Sequence, residues 1–345
     1  MKNIPKATPI ALELFSGCGG MTSGLKSAGF NVLGAIEKDK ITADTYRANH
    51  PEVIVWERDI LDVPIDEVME TLKLKKGQLD ILAGCPPCQG FSHMRTLNGA
   101  KKVADKRNRL VFQFIRFTEA LQPKVVMMEN TPGLATNWRM KKLLREFKKL
   151  GYHGSCQIVN AADFGVPQSR ERMIMLVSRL GKVPLPEADK HHRTVGDVIM
   201  DLPKAGESGD PLHDFPERHG TRVTDIIKRI PKNGGSRVSL GTESQLECHK
   251  KCDGFKDVYG RMALDRPSPT ITSGCTNPSK GRFIHPEEDR AITLREAALL
   301  QGFPQTYKFS LKNGKTGAAL MIGNALPPEL IRRHAQTIKT LLNEV

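Results

Sequence analysis

The chain has 345 residues, 39% of them hydrophobic, which suffices for one large domain or for one domain with a sizeable insertion. No run approaches the roughly 18 apolar residues of a membrane helix, and no signal-peptide core follows the N-terminus, so we expect a cytoplasmic protein. Seven scattered cysteines argue against a secreted disulfide framework. The net charge of +14 favours a polyanionic partner, most simply nucleic acid, although a merely soluble basic surface would have the same charge.

The first elements of the chain predict a nucleoside-binding edge. Residues 10–15 are typical of a strand, which runs into the glycine-rich turn from Ser16 to Gly20 and then into a helix. A second strand, 31–36, ends on Glu37, at the place where nucleoside-binding folds hydrogen-bond ribose hydroxyls. The glycines do not form the GxGxxG pattern, which disfavours a nicotinamide cofactor. The alternative is an ordinary strand–turn–helix with a surface glutamate.

A second acidic position is predicted at the same edge. A helix over residues 40–49 leads to a short strand near 53–56, and Asp59 and Ile60 follow that strand. Because Glu37 and Asp59 come after consecutive strands, we expect both at one edge of a parallel sheet. Ligands of open α/β sheets bind at that edge.

The next strand predicts a nucleophile. Residues 79–84 form an apolar run that breaks at Gly84 into the sequence Cys85-Pro86-Pro87-Cys88. A thiol at the exit of a buried strand, held by rigid neighbours, is where an α/β enzyme would place a nucleophile, and we assign that role to Cys88. The same C-x-x-C spacing also fits a redox dithiol. The basic segment 99–109 that follows is either a loop that closes over a polyanion or a solvated linker.

Further charged residues are predicted at strand ends. The strand predicted over residues 124–128 ends at Glu129, and Arg170 and Arg172 lead into another strand, 173–177. Arginines at positions i and i+2 of a strand point the same way. Such a pair fits the binding of an anion or a carbonyl oxygen, and a surface salt bridge is the alternative.

The second half of the chain has a different pattern. From residue 181 to about 289 the periodicity fades, and turn residues separate short predicted strands, which indicates a smaller, loop-rich domain inserted into the first. The regular pattern returns with a capping box, Thr293 and Glu296, and ends with a helix over residues 329–342.

A metal site and a DNA-binding module without enzymatic activity are two other interpretations. Cys248 and Cys252 could bind a metal together with Cys85 and Cys88 or with the histidines at 191–192, but no matched second pair accompanies them, so unrelated thiols are the simpler interpretation. A DNA-binding module without enzymatic activity would explain the charge, yet it leaves the glycine-rich turn and Cys88 unexplained.

Six segments of the chain form an ordered set of motifs: Leu14 to Gly20, Pro86 to Ser92, Glu129 to Thr131, Gln168 to Arg172, Arg266 to Thr272 and Gly323 to Pro328. In order and spacing, over about residues 10–335, they resemble the motifs of the bacterial DNA cytosine-5 methyltransferase family. Thr131, Ser169 and Leu326 depart from the usual motif residues, and none of the three replaces a residue with a chemical role.

The resemblance implies an α/β fold, a class I S-adenosylmethionine-dependent methyltransferase sheet of Rossmann-like type with helices on both faces. Residues 1–180 and 290–345 would form the catalytic domain, and residues 181–289 a smaller, loop- and strand-rich target recognition domain. The implied reaction methylates C5 of a specific cytosine, flipped out of double-stranded DNA, through a covalent bond from Cys88 to C6. A tRNA cytosine-5 methyltransferase is the alternative. The enzyme would act as a monomer, in a restriction–modification system with a separate endonuclease or as a solitary methylase.

The resemblance also assigns roles to single residues. Cys88 would be the nucleophile, Glu129 would contact N3 and the exocyclic amine of cytosine, Arg172 would support O2, and Arg170 the neighbouring geometry. Cys85 would be a bystander, so we expect Cys85→Ala to spare activity. No metal is implied. The implied S-adenosylmethionine site consists of Phe15, Ser16, Gly17, Gly19, Gly20, Glu37, Lys38, Asp59, Ile60, Leu110 and Asn324.

Overall fold

A computed structural model describes residues 7–87, 106–215, 219–241 and 257–344. Cys88, the predicted nucleophile, therefore lies outside the described residues. The chain divides into two compact units. The first unit is made of Met1–Ala161, Glu171–Ala188 and Pro328–Val345, and the second of Ala162–Arg170 and Asp189–Pro327.

The first unit contains a seven-stranded sheet in the order β3-β2-β1-β4-β5-β7-β6. The strands β1 to β5 pair in parallel, whereas β7 runs antiparallel to both β5 and β6. This mixed sheet confirms the predicted class I, Rossmann-like fold. The strands are β1 Ile10–Leu14, β2 Asn31–Ile36, β3 Ile54–Trp56, β4 Ile81–Gly84, β5 Val125–Asn130, β6 His153–Asn160 and β7 Glu171–Ser178.

Helices connect the strands and continue through the second unit. None of the helices in the described ranges has the length and apolarity that crossing a bilayer requires. The capping box predicted at Thr293 and Glu296 is confirmed at the start of α9. The helices are α1 Gly20–Ser27, α2 Lys40–Asn49, α3 Ile65–Thr71, α4 Gln113–Leu121, α5 Pro132–Ala135, α6 Trp138–Lys149, α7 Gly196–Ile199, α8 Thr221–Arg229, α9 Leu294–Leu300, α10 Gly314–Asn324 and α11 Pro328–Glu344.

The central strands are buried along their whole length. Every residue of β4 and β5 is buried. Phe114 and Phe117 of α4 and Leu143 and Phe147 of α6 belong to the same apolar core as these strands. Burial on both faces explains why β4 and β5 have continuous apolar runs, which made them predictable from the sequence. By contrast β6 was not predicted, because this edge strand is mostly exposed or half-buried and has no apolar pattern.

Two strand boundaries differ from the prediction, and both differences concern charged residues. The strand β5 extends through Glu129 to Asn130, and β7 already begins at Glu171. Glu129 and Arg172, predicted to lie after β5 and before β7, are therefore within the sheet, whereas Arg170 precedes it. Here Glu129 pairs with Ile174 and Asn130 with Met173 in the antiparallel register.

The second unit is organised around a buried arginine. The side chain of Arg261 is fully buried and donates hydrogen bonds to the carbonyl oxygens of Ile227, Ile230 and His285. Within the described part of this unit, isolated bridges such as the one between Arg261 and Ile284 replace the short strands expected there. The assignment of target recognition to residues 181–289 stays a prediction.

The end of β4 leads to a stability prediction. A Cβ at Gly84 would overlap the carbonyl oxygen of Leu14 on β1, a backbone atom that cannot move without disturbing the sheet. We expect Gly84→Ala to lower the free energy of unfolding by about 1–3 kcal/mol, as overpacking does elsewhere. The control is Gly220→Ala, where nothing lies within 4 Å of the added carbon. Equal unfolding midpoints of both variants in urea would contradict this account of Gly84.

Candidate active site

A buried carboxylate on β5 is the centre of the site. Glu129 is only 2% exposed. Its Oε1 lies 2.9 Å from Nε of Arg172, and its Oε2 accepts a hydrogen bond of 2.7 Å from the thiol of Cys85. Both oxygens therefore have a protein donor, as the burial of a carboxyl group requires.

The strand register explains how these three side chains meet. Gly84, the last residue of β4, pairs with Met128 of β5, so Cys85, which directly follows β4, comes to the level of Glu129 in β5. On the other side of β5, Arg172 lies two residues before Ile174, the partner of Glu129 in β7. The sheet thus brings residues 85, 129 and 172 together from three strands.

The residues that directly follow β4 are bound to β5. The side-chain amide of Asn130 donates a hydrogen bond of 2.9 Å to the carbonyl oxygen of Pro86. Pro86 and Pro87 restrict the backbone, because their φ angles are fixed. The chain therefore leaves the sheet beside Glu129, two residues before Cys88 in the sequence.

The two predicted arginines have separate partners. Arg172 pairs with Glu129, whereas Arg170 belongs to the second unit, where its buried guanidinium donates to the carbonyl oxygens of Ile271 and Gly323. The i, i+2 rule does not apply to this pair, because β7 begins only at Glu171. The arginines do not share one acceptor, and the proposed roles of both stay predictions.

The glycine-rich turn is bound to the predicted ribose-binding acid. The backbone N–H of Gly17, at φ +54°, donates to Oε2 of Glu37 over 2.9 Å, and Oε1 of Glu37 accepts from the N–H of Asp39 over 2.8 Å. Burial raises the pKa of Glu37 above its ordinary value. Nothing lies within 4 Å of a carbon built at Gly17, so there is open space over this turn for a ligand.

Most of the other predicted cofactor residues follow neighbouring strands of the first unit. The ring of Phe15 stacks on that of Phe114 with centroids 6.4 Å apart, and Lys38 forms an ion pair of 3.6 Å with Asp59. Asn324 ends α10 in the second unit, where it is exposed. The predicted cofactor residues in the first unit are Phe15, Ser16, Gly17, Gly19, Gly20, Glu37, Lys38, Asp59, Ile60 and Leu110.

Two polar residues of this edge are not predicted from the sequence. Cys85 was expected to be a bystander, whereas its thiol contacts Glu129. Glu13 is 1% exposed within β1, where it accepts a hydrogen bond from the hydroxyl of Thr22, itself 2.6 Å from the hydroxyl of Tyr46. Burial raises the pKa of Glu13 to about 8. An acid inside the apolar run of β1 was a visible sign of such a cluster.

Side chains that could bind a metal do not cluster in the described parts of the chain. No group of three or more His, Cys, Asp or Glu residues within those ranges could hold an ion. Cys248 and Cys252 lie outside the described residues, so a metal site that includes them stays a hypothesis.

Comparisons with known proteins agree with this architecture. A family model described as C-5 cytosine-specific DNA methylase matches residues 11–340. The chain is 36% identical to the Type II methylase M.HgiDII of Herpetosiphon aurantiacus, over 96% of the chain and 95% of that protein. It is 35% identical to the Type II methyltransferase M1.HphI of Haemophilus parahaemolyticus, over 95% and 86% respectively. The solved structure of the Entamoeba histolytica methyltransferase EhMeth has the same fold, with a TM-score of 0.64 and 17% identity over 98% of this chain and 99% of that one.

Glu13 should make stability depend on pH. The folded state holds the Glu13 proton up to about pH 8, whereas the unfolded chain releases it near pH 4.5, so this group lowers stability as the pH rises between these values. Glu13→Gln keeps an oxygen for Thr22 but cannot ionise. We expect its melting temperature relative to the wild type to increase from pH 5 to pH 8.5. The control is Glu70→Gln at an exposed position of α3, and a parallel response of both variants would contradict the assignment.

Proposed function

The chain belongs to the family of C-5 cytosine-specific DNA methylases, and from this premise we propose that it methylates C5 of a specific cytosine in double-stranded DNA, with S-adenosylmethionine as donor and Cys88 as covalent nucleophile. The protein is a DNA cytosine-5 methyltransferase, and members of its family depend on S-adenosylmethionine. The covalent route and the residue roles are our proposal.

One observation carries the proposal. The buried carboxylate of Glu129 is bound by Arg172 and Cys85, and the next residue of its strand, Asn130, binds Pro86, which precedes Cys88 by two residues in the sequence. A carboxyl group and a guanidinium beside a nucleophilic thiol are the groups that activation of a pyrimidine requires. The redox alternative for Cys85 and Cys88 has no use for this carboxylate and this guanidinium.

In the proposed reaction the thiolate of Cys88 adds to C6 of cytosine, so a C6–S bond forms and negative charge moves towards N3. A proton taken from solvent and shared between the Glu129 carboxyl group and N3 stabilises that charge, so C5 becomes nucleophilic. Once C5 has taken the methyl group and S-adenosylhomocysteine is left, the C5 proton and the N3 proton return to solvent, and the C6–S bond breaks to restore the thiolate. A guanidinium has five N–H donors, so Arg172 can hold Glu129 and still support O2.

The residues that follow β1, β2 and β3 fit the methyl donor S-adenosylmethionine. When bound, S-adenosylmethionine supplies a methyl group that a carbon nucleophile can take. The carboxylate of Glu37 offers acceptors for ribose hydroxyls, the half-buried ring of Phe15 offers apolar surface for a base, and the open space over Gly17 lets the backbone approach. These side chains bind and orient, and the other cofactor residues of the first unit complete the proposal.

The DNA substrate requires further steps. C5 and C6 of cytosine are stacked inside the duplex, so we propose that the base is flipped out before Cys88 attacks. The charge of +14 favours duplex binding through phosphates. We assign sequence reading to residues 181–289. Because two relatives are named Type II enzymes, we also propose a restriction–modification role with a separate endonuclease, with the methyltransferase acting as a monomer.

The nucleophile gives the decisive prediction. We expect Cys88→Ser to reduce methyl transfer to duplex DNA by more than about 1000-fold, with DNA affinity retained. Duplexes with 5-fluorocytosine at the target should form a stable adduct with the wild type, because fluorine blocks the loss of a proton from C5. The measurements are tritium transfer from labelled donor and a denaturing gel. Cys156→Ser, at a half-buried position on β6, is the control.

Two results would overturn the proposal. Full activity of Cys88→Ser would exclude the covalent route, and full activity of Glu129→Ala would exclude the role of the carboxyl group. Transfer to tRNA in place of duplex DNA in the same assay would favour the RNA alternative. Bisulfite sequencing of a methyl-free plasmid that carries the gene would then identify the methylated sequence.

A further inference from the structure

None of the roles assigned so far uses the contact between Cys85 and Glu129. The thiol of Cys85 lies three residues before Cys88 and donates to Oε2 of Glu129 over 2.7 Å. The other oxygen, Oε1, is held by Arg172 at 2.9 Å. The Cys85 side chain is half-buried, and Glu129 is almost wholly buried. The thiol therefore contacts the acidic group at the oxygen that Arg172 does not hold.

We propose that Cys85 is a positioning residue, whose thiol fixes the orientation of the Glu129 carboxyl group in which it can meet the cytosine ring. This inference rests on the role that the proposed function gives to Glu129. It replaces the expectation that Cys85 is a bystander and that Cys85→Ala spares activity.

The geometry of a carboxyl group explains why a second donor is needed. The last torsion of a glutamate side chain is broad, so one contact at Oε1 leaves the plane of the carboxyl group free to turn about its bond to Cγ. A second donor at Oε2, from the opposite neighbouring strand, fixes that plane. Rate depends on such alignment, because a reacting group that is rotated away from the base loses its effect.

The thiol does not have to leave when the substrate arrives. A carboxylate has about four lone-pair sites, so Oε2 can accept from Cys85 and still face a group of the base. The backbone of Cys85 is itself restrained, since it follows β4 directly and precedes two prolines, the first of which is bound by Asn130. The donor is thus placed by the fold before any substrate binds, which is the condition for preorganisation.

Three substitutions at residue 85 separate hydrogen bonding from packing. Cys85→Ser keeps a short donor, Cys85→Ala removes the donor, and Cys85→Val fills the space without a donor. If the thiol acts as a donor, serine should preserve activity and both alanine and valine should lose it. If the thiol only fills space, valine should preserve activity and serine should not. Cys156→Ala is the matched control, because that thiol is also half-buried, and its hydrogen bond to the carbonyl oxygen of Ala135 is long, at 4.0 Å.

The measurement is the single-turnover rate of methyl transfer at saturating donor and duplex DNA. We expect Cys85→Ala and Cys85→Val to slow this step about 10-fold, and Cys85→Ser to stay within about 3-fold of the wild type. The dissociation constants for DNA and S-adenosylmethionine and the melting temperature should not change. A slower methyl-transfer step with unchanged dissociation constants and an unchanged melting temperature distinguishes orientation of Glu129 from a general structural role. Should the alanine variant fail to fold, the serine and valine variants carry the same comparison.

The outcomes also separate this inference from the proposed function. Wild-type rates for both Cys85→Ala and Cys85→Val, with Cys88→Ser and Glu129→Ala inactive, would overturn the positioning role and leave the proposed function intact. Wild-type rates for Glu129→Ala would overturn the proposed function itself. Loss of activity in all three variants at residue 85, with serine no better than alanine, would contradict the hydrogen bond as the cause.

Discussion

The site depends on the burial of one carboxylate in the middle of a sheet. An ionised Glu129 could not be buried in β5 without compensation, since the desolvation of an unpaired charge costs many kcal/mol. Its partners come from the ends of two other strands, Cys85 after β4 and Arg172 in β7. The three groups are far apart along the chain, so the site exists only when the strands have paired in this register. Folding of the sheet and assembly of the site are therefore one event.

The order of the strands also relates the proposed methyl-donor site to the proposed nucleophile. In the sheet β1 is the neighbour of β4, and Leu14 pairs with Gly84 at their carboxyl ends. The glycine-rich turn begins two residues after Leu14, and Cys85 follows Gly84. The proposed donor site and the proposed nucleophile loop thus leave the sheet from adjacent strands. A short step between them, with no intervening element, is what direct transfer of a small group requires.

The sequence predicts the apolar strands, but it does not predict the contacts that depend on the pairing register of the strands. The strands β4 and β5 were recognised from their apolar runs, whereas the edge strand β6 has none. Propensity ended β5 before Glu129, because acidic residues disfavour strands, yet tertiary pairing continues the strand to Asn130. The contact of Cys85 with Glu129 follows from the pairing of Gly84 with Met128, and the sequence alone does not contain that register.

The chemistry of residue 85 limits which side chains could replace the thiol. A lysine or arginine there would place a second cation beside Arg172, and two like charges so close together repel each other. An apolar side chain would leave Oε2 without this donor. A short neutral donor meets both conditions, because it orients the carboxyl group without adding charge, and cysteine and serine are the side chains of that size with this property.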